Sequence, residues 1–67
     1  MGLPKFDFKH VISNNTPLLK EPDPESEIMY FMRENETVIV DSKGSTDNYY
    51  MITVNGLVGY VLKDLVK

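Results

Sequence analysis

The chain has 67 residues and no cysteine, so it forms at most one domain and has no disulfides, thiolate metal sites or cysteine nucleophiles. Hydrophobic residues make up 42% and charged residues 25%, which is ordinary globular usage and argues against global disorder. The net charge of -3 and the scattered basic residues argue against nucleic-acid binding and mildly against a polyanionic surface as partner.

Residues 1 to 12 predict an N-terminal strand or arm. From residue 5 the run KFDFKHVI alternates with period two, as in a half-buried strand, and one side of it carries Phe6, Phe8, His10 and Ile12. The N-terminus has no apolar run of signal-peptide type, and no stretch of the chain approaches transmembrane length. For a complete chain we therefore expect a cytoplasmic location and no membrane partner.

Residues 13 to 27 predict a turn followed by a long loop. Ser13-Asn14-Asn15 has the composition of a turn, and Leu18-Leu19 is expected to be briefly extended. The segment TPLLKEPDPESE, residues 16 to 27, contains three prolines and four acids. We therefore expect an exposed, partly stiffened loop there.

The acids of this loop stand at alternate positions, namely Glu21, Asp23, Glu25 and Glu27. An extended loop could direct them toward one calcium ion, but the Asp-x-Asx-x-Asx-Gly register is absent and prolines alternate with the acids. A solvated loop is therefore preferred to a metal site, and no cofactor is expected. A second functional interpretation is that the stiffened acidic loop offers a low-entropy surface to a basic partner segment.

Residues 28 to 48 predict two strands and a loop. The run IMYFM, residues 28 to 32, is continuously apolar, of strand length, and followed by the polar turn RENE. Residues 37 to 40 are TVIV, and β-branched side chains favour a strand. The segment DSKGSTDN, residues 41 to 48, is expected to be a polar loop.

Residues 49 to 61 predict a hairpin. Asn55-Gly56 is the favoured pair for a type I′ turn because both central residues need positive φ. The side chains expected to face the core are Tyr50, Ile52, Val54 and Val61, whereas those on the other face of the first strand are Tyr49, Met51 and Thr53. Gly59 indicates the close approach of another backbone or of a large ring.

The chain ends with a predicted 3₁₀ turn at residues 62 to 65, after which Val66 could pair as a last short strand. These elements predict an all-β fold, a small and partly open β-barrel of five to six short antiparallel strands with a single 3₁₀ turn near the C-terminus. Residues 1 to 67 form one domain, with residues 1 to 12 as the arm and residues 13 to 67 as the barrel proper.

The order of these features resembles the bacterial SH3 family, or SH3b domains, over about residues 11 to 67. The matching residues are Leu18-Leu19-Lys20 for the extended segment, the run 28 to 32 for the strand before the turn, Tyr49-Tyr50 for the aromatic pair, Asn55-Gly56 for the hairpin turn and Gly59-Tyr60-Val61 for the return strand. Asn35 stands where the family often has glycine, so a left-handed conformation is expected there. The resemblance implies an SH3-like barrel.

The sequence also departs from the SH3 pattern. The usual Arg-Ser-Gly-Pro after the extended segment is replaced by residues 20 to 24, KEPDP, and both common tryptophans are tyrosines, Tyr49 and Tyr60. Compared with eukaryotic SH3 domains, Leu62 and Leu65 replace a proline and a tyrosine that help to form the groove for polyproline helices. Binding of PxxP segments is therefore not predicted.

No catalytic constellation accompanies these elements. His10 is the only histidine, it lies in the N-terminal alternating run, and the serines occupy polar turns with no histidine near them. Because catalysis needs a nucleophile with a base, paired carboxylates or a metal, the chain is not expected to be an enzyme.

The aromatic residues suggest where binding would occur. Tyr49 and Tyr60 are expected on the face opposite the core, alongside Asn48, and neighbouring exposed tyrosines are typical of recognition surfaces. Packing of both rings under the N-terminal arm is the open alternative. The predicted binding site therefore consists of Asn48, Tyr49 and Tyr60 with the acidic residues Glu21, Asp23, Glu25 and Glu27.

These observations predict a non-catalytic module that binds a peptide or protein, in a small cytoplasmic interaction or regulatory protein of the sort that bacteria, phages or plasmids carry. An alternative of a different class stays open. Many SH3b domains attached to secreted hydrolases bind peptidoglycan peptide, so the chain could be a cell-wall-targeting module excised from an exported protein. The sequence gives neither the partner nor the oligomeric state.

Overall fold

The computed structural model describes residues 6–67, which form six strands and two 3₁₀ turns. The strands are β1 (Phe6–His10), β2 (Thr16–Leu19), β3 (Ile28–Met32), β4 (Thr37–Asp41), β5 (Tyr49–Val54) and β6 (Leu57–Leu62). The predicted all-β class, the strand number and the C-terminal 3₁₀ turn at Lys63–Leu65 are confirmed. Within the described residues, no helix is long and apolar enough to cross a membrane.

The second 3₁₀ turn, at Ser42–Gly44, lies where the sequence predicts only a polar loop. Two hydrogen bonds to Asp41, the last residue of β4, explain it. The carboxylate of Asp41 accepts a hydrogen bond from the backbone N–H of Lys43 at 3.0 Å, and the Asp41 carbonyl accepts one from the hydroxyl of Ser45 at 2.9 Å. Such local bonds from Asp and Ser favour turns over extended backbone.

All six strands belong to one antiparallel sheet with the order β1-β4-β5-β6-β2-β3. The sheet curls so that the end of β1 meets the C-terminus of the chain. Val11 forms an isolated bridge with Val66, and the backbone N–H of His10 donates to the carbonyl of Lys67 at 2.7 Å. The predicted pairing of Val66 is thereby confirmed, as a bridge and not as a full strand.

One hydrophobic core fills the inside of this curled sheet. It consists of Val11, Leu18, Met32, Val38, Val40, Ile52, Val54, Val61 and Val66. The inward orientation predicted for Ile52, Val54 and Val61 is confirmed. Tyr50 also packs against the core, but its side chain is only half-buried.

Strand β1 has the opposite orientation to the one that its alternation suggests. Its apolar side is exposed, with Phe6 at 54% and Phe8 at 68%, and His10 is exposed as well. The register explains this, because Asp7 pairs with Val40 and Lys9 with Val38. Paired side chains lie on the same face of a sheet, and both valines are buried in the core. The polar side of β1 is therefore the core-facing one, where Lys9 is half-buried and Asp7 remains exposed.

The β5–β6 hairpin has the predicted turn. Asn55 and Gly56 have φ angles of 50° and 76°, and Val54 pairs with Leu57 on either side of them, as a two-residue type I′ turn requires. Asn35 has φ of 67°, which confirms the left-handed conformation expected there.

Gly59 allows β2 to approach β6 closely. A Cβ atom at this position would lie 2.6 Å from the carbonyl oxygen of Leu19 and 2.9 Å from the side chain of Leu18. The close backbone approach that the sequence indicates at Gly59 is therefore confirmed.

Candidate functional site

A shallow groove opens at one end of the sheet, where three segments of the chain meet. Its cavity of about 330 Å³ is lined by Pro24, Asp47, Asn48, Tyr49, Leu62, Lys63 and Asp64. These residues come from the acidic loop, from the segment before β5 and from the start of the C-terminal 3₁₀ turn. The structure thus brings two predicted site residues, Asn48 and Tyr49, together with one residue of the predicted acidic loop.

Backbone hydrogen bonds hold the groove in shape. The backbone N–H of Tyr49 donates to the hydroxyl of Thr46 at 3.1 Å, and the N–H of Thr46 donates back to the Tyr49 carbonyl at 2.8 Å. On the other side, the N–H of Lys63 donates to the carbonyl of Asn48 at 3.0 Å. The loop before β5 is therefore tied to the turn after β6, and Asn48 lies between them.

Tyr49 lines this groove but is not the exposed residue that the sequence predicts. Its side chain is only 6% exposed. It does lie on the face opposite the core, where it pairs with Leu62 across the hairpin. Leu62 and Pro24 line the same cavity. Tyr49 is thus an inner wall of the groove.

Tyr60 is not a lining residue of the groove. It pairs with Met51 on one side and with Leu19 on the other, and its side chain is half-buried. Because Met51 lies two residues along β5 from Tyr49, Tyr60 shares the outer face of the hairpin with Tyr49 as a diagonal neighbour, as the sequence predicts, although it does not line the groove.

The acidic loop is a folded turn and not an extended segment. The N–H of Lys20 donates to the carbonyl of Glu27 at 3.0 Å, which closes the loop. Inside it, the N–H of Glu21 donates to the Ser26 hydroxyl at 2.8 Å, and the Asp23 carboxylate accepts from the N–H of Glu25 at 3.0 Å. Because the loop is folded, the alternate positions of the acids in the sequence do not place their side chains along one side of an extended segment.

All four acids of the loop, Glu21, Asp23, Glu25 and Glu27, are exposed to solvent. None of them lines the groove, which receives only Pro24 from this loop. In the described residues, no cluster of three or more His, Asp or Glu side chains could hold a metal ion. The acids contribute a negative field next to the groove, to which Asp47 and Asp64 add charges at its wall.

The sequence reasoning missed Asp47, Leu62, Lys63 and Asp64 as groove residues. The hairpin turn contains the signal that would have found them. Counting outward from Asn55-Gly56 pairs Leu62 with Tyr49, so the residues after Leu62 must lie beside those before Tyr49.

A larger cavity, of about 530 Å³, lies beside the turn between β3 and β4. Its lining includes Tyr30 and Glu36, whose polar atoms already bind one another, since the Tyr30 hydroxyl donates to Glu36 Oε2 at 3.0 Å. The smaller groove contains the predicted site residues Asn48 and Tyr49, and we therefore take it as the candidate site.

The chain matches no protein-family model and no curated protein. Among solved structures, it is similar to NlpC2 and NlpC1 from Trichomonas vaginalis, each with a TM-score of 0.81 over 94% of this chain and 18% sequence identity. At that identity the likeness shows a shared fold alone. The chain spans 23% of the NlpC2 chain and 22% of the NlpC1 chain, so in those proteins this fold is a minor part of a longer polypeptide.

Proposed function

We propose that the chain is a non-catalytic, SH3b-like binding module that holds an extended peptide in the groove beside Tyr49. The observation that carries this proposal is the groove itself, which combines a rigid aromatic wall with the exposed polar groups of Asp47, Asn48 and Asp64. Peptide sites commonly join a buried aromatic residue to a few polar groups that fix orientation. The resemblance to SH3b domains and the β-fold support the same conclusion.

The charges around the groove favour a basic segment as the ligand. Asp47 and Asp64 line it, and the four exposed acids of the loop lie next to it. Among residues 6–67, Lys63 is the only basic residue of the lining. An acidic field attracts a basic peptide during encounter and fixes its register. The sequence shows no pattern that would pair a nucleophile with a base, which supports a role without catalysis.

Binding can be tested with an array of extended peptides that differ in lysine and arginine content, followed by fluorescence polarisation with the tightest peptide. We expect Asp64→Asn and Asn48→Ala to weaken binding at least about fivefold, because each removes a polar contact at the groove wall. Glu34→Gln is the matched control, since it removes one negative charge from a residue that lines the other cavity and not the groove. Unchanged binding by both groove variants would refute the site.

A second candidate function is targeting of a larger protein to the cell wall through peptidoglycan peptide. The specific observation in its favour is that the two similar structures are of much longer chains, of which this fold is less than a quarter. Under this proposal the module acts outside the cell, whereas the first proposal places it in the cytoplasm.

Cosedimentation with purified peptidoglycan sacculi separates the two candidates. Retention on sacculi that Asp64→Asn reduces and Glu34→Gln does not would support cell-wall targeting through this groove. If the wild-type chain binds peptide but is not retained on sacculi, the cytoplasmic interaction protein is the better proposal.

A further inference from the structure

Two lysine ammonium groups lie over the ring of one tyrosine, Tyr50. The Nζ atom of Lys9 is 5.5 Å from the centre of the ring and that of Lys63 is 5.1 Å from it. All three side chains are half-buried, and the ring packs against the hydrophobic core. Tyr50 therefore fixes the positions of two positive charges that come from opposite ends of the chain.

Both ammonium groups lie within 5.5 Å of the centre of the same ring. Since both nitrogens lie over one ring, their separation cannot exceed the sum of the two distances. Within residues 6–67, neither ammonium lies within 4.0 Å of a carboxylate oxygen. Two like charges near one ring repel each other, and an anion that contacts both ammonium groups would offset this repulsion.

We infer that Lys9, Tyr50 and Lys63 form a binding site for a phosphate group, free or esterified. Lysine acts as a compact point charge that suits phosphate oxygens, and the doubly charged phosphate matches the two ammonium groups. The hydroxyl of Tyr50 can donate a further hydrogen bond. A nucleic acid is a poorer ligand, because the chain carries a net charge of -3 and phosphate backbones need a wider basic surface.

Tyr50 and Tyr49 point to opposite faces of β5, because successive side chains of a strand alternate between faces, so this site overlaps the groove at Lys63 alone among its three residues. Lys9 and Tyr50 do not line the groove. The inference therefore does not depend on the proposed function, and Lys9 is the residue whose substitution tests it alone.

The test is a titration of the ¹⁵N-labelled chain with inorganic phosphate at constant ionic strength, followed by amide chemical shifts. We expect saturating shifts around Lys9, Tyr50 and Lys63, with a dissociation constant on the order of 1–10 mM. Lys9→Gln should weaken binding about tenfold, since it removes one charge-assisted hydrogen bond, and Tyr50→Phe about threefold. Lys43→Gln, which removes an equal charge elsewhere, should leave the affinity within about twofold.

Two further arms identify the ligand. Acetate, with a single charge, should bind at least about fivefold more weakly than phosphate, and O-phosphoserine should bind at least as tightly as inorganic phosphate if an esterified group is the natural one. Shifts that do not saturate, equal affinity for acetate, or an unchanged affinity in Lys9→Gln would each overturn the inference. The amide spectrum also shows whether each variant is folded.

Discussion

The side-chain amide of Asn55 donates a hydrogen bond of 2.7 Å to Oε2 of Glu36, and this contact joins the tip of the β5–β6 hairpin to the turn before β4. The same oxygen accepts from the hydroxyl of Tyr30 at 3.0 Å. The other carboxylate oxygen, Oε1, accepts from the backbone N–H of Arg33 at 2.9 Å. One carboxylate therefore connects three separate parts of the sheet.

We expect Glu36→Ala to lower the free energy of unfolding by about 1–3 kcal/mol, because three donors lose their acceptor. Asn55→Gly removes the amide but keeps the positive φ, so it should cost about 0.5–1.5 kcal/mol. Urea denaturation measures both. The double variant should lose less than the sum of the two, because the residues share one bond.

Glu34→Ala is the control for this cycle, since Glu34 is an exposed acid in the same turn, and it should change stability by less than about 0.5 kcal/mol. Strictly additive losses in the double variant would contradict a direct bond between Asn55 and Glu36.

Gly59→Ala should lower the free energy of unfolding by about 1–3 kcal/mol or more, as an overpacked core does. The new methyl group would meet the backbone of Leu19 at 2.6 Å, and a paired strand cannot move aside without loss of its hydrogen bonds. Gly44→Ala is the matched control, because its methyl group would meet the flexible end of the Met51 side chain. Equal losses for the two variants in urea denaturation would contradict this account.

The hairpin could be predicted from the sequence because its information is local. Asn55 and Gly56 specify the turn by their own backbone preferences, and the turn then determines the register along both strands. Gly59 is a similar case, since a glycine inside a strand needs a close neighbour to explain it. Pairing between strands that are far apart in the sequence could not be predicted from such local signals.

The orientation of β1 shows why the rest could not be predicted. Alternation divides a strand into two faces, and the apolar face usually points inward. In β1 the polar face points toward the core side instead, because Asp7 and Lys9 pair with the core valines of β4. The burial of Tyr49 was missed for a related reason. Tyr49 shares its groove with Pro24, which lies far away in the sequence and meets it there only in the folded chain.

Phe8→Ser should change the free energy of unfolding by less than about 0.5 kcal/mol, because the ring is 68% exposed and contributes little to the core. Its solubility should rise, since exposed aromatic rings promote association. Leu18→Ala is the contrasting variant, because this fully buried side chain should cost about 2–5 kcal/mol. Thermal unfolding of both proteins measures the difference. A large loss of stability in Phe8→Ser would show that the side of β1 with Phe8 packs against the core.

Tyr49→Ala should unfold the protein or nearly so. The side chain is 6% exposed, and removing a buried aromatic ring costs about 3–5 kcal/mol, which is comparable to the total stability of a domain of this size. Tyr49→Phe keeps the ring and should remain folded, so only this variant can test whether the hydroxyl contacts a ligand in the groove.

Circular dichroism on heating checks this prediction for Tyr49, with Tyr60→Ala as the comparison. Tyr60 is half-buried and lies outside the groove, so its truncation should cost less than that of Tyr49, because less contact area is lost. A Tyr49→Ala protein that melts close to the wild-type temperature would show that this tyrosine is a surface residue, and the groove would then lose its rigid wall.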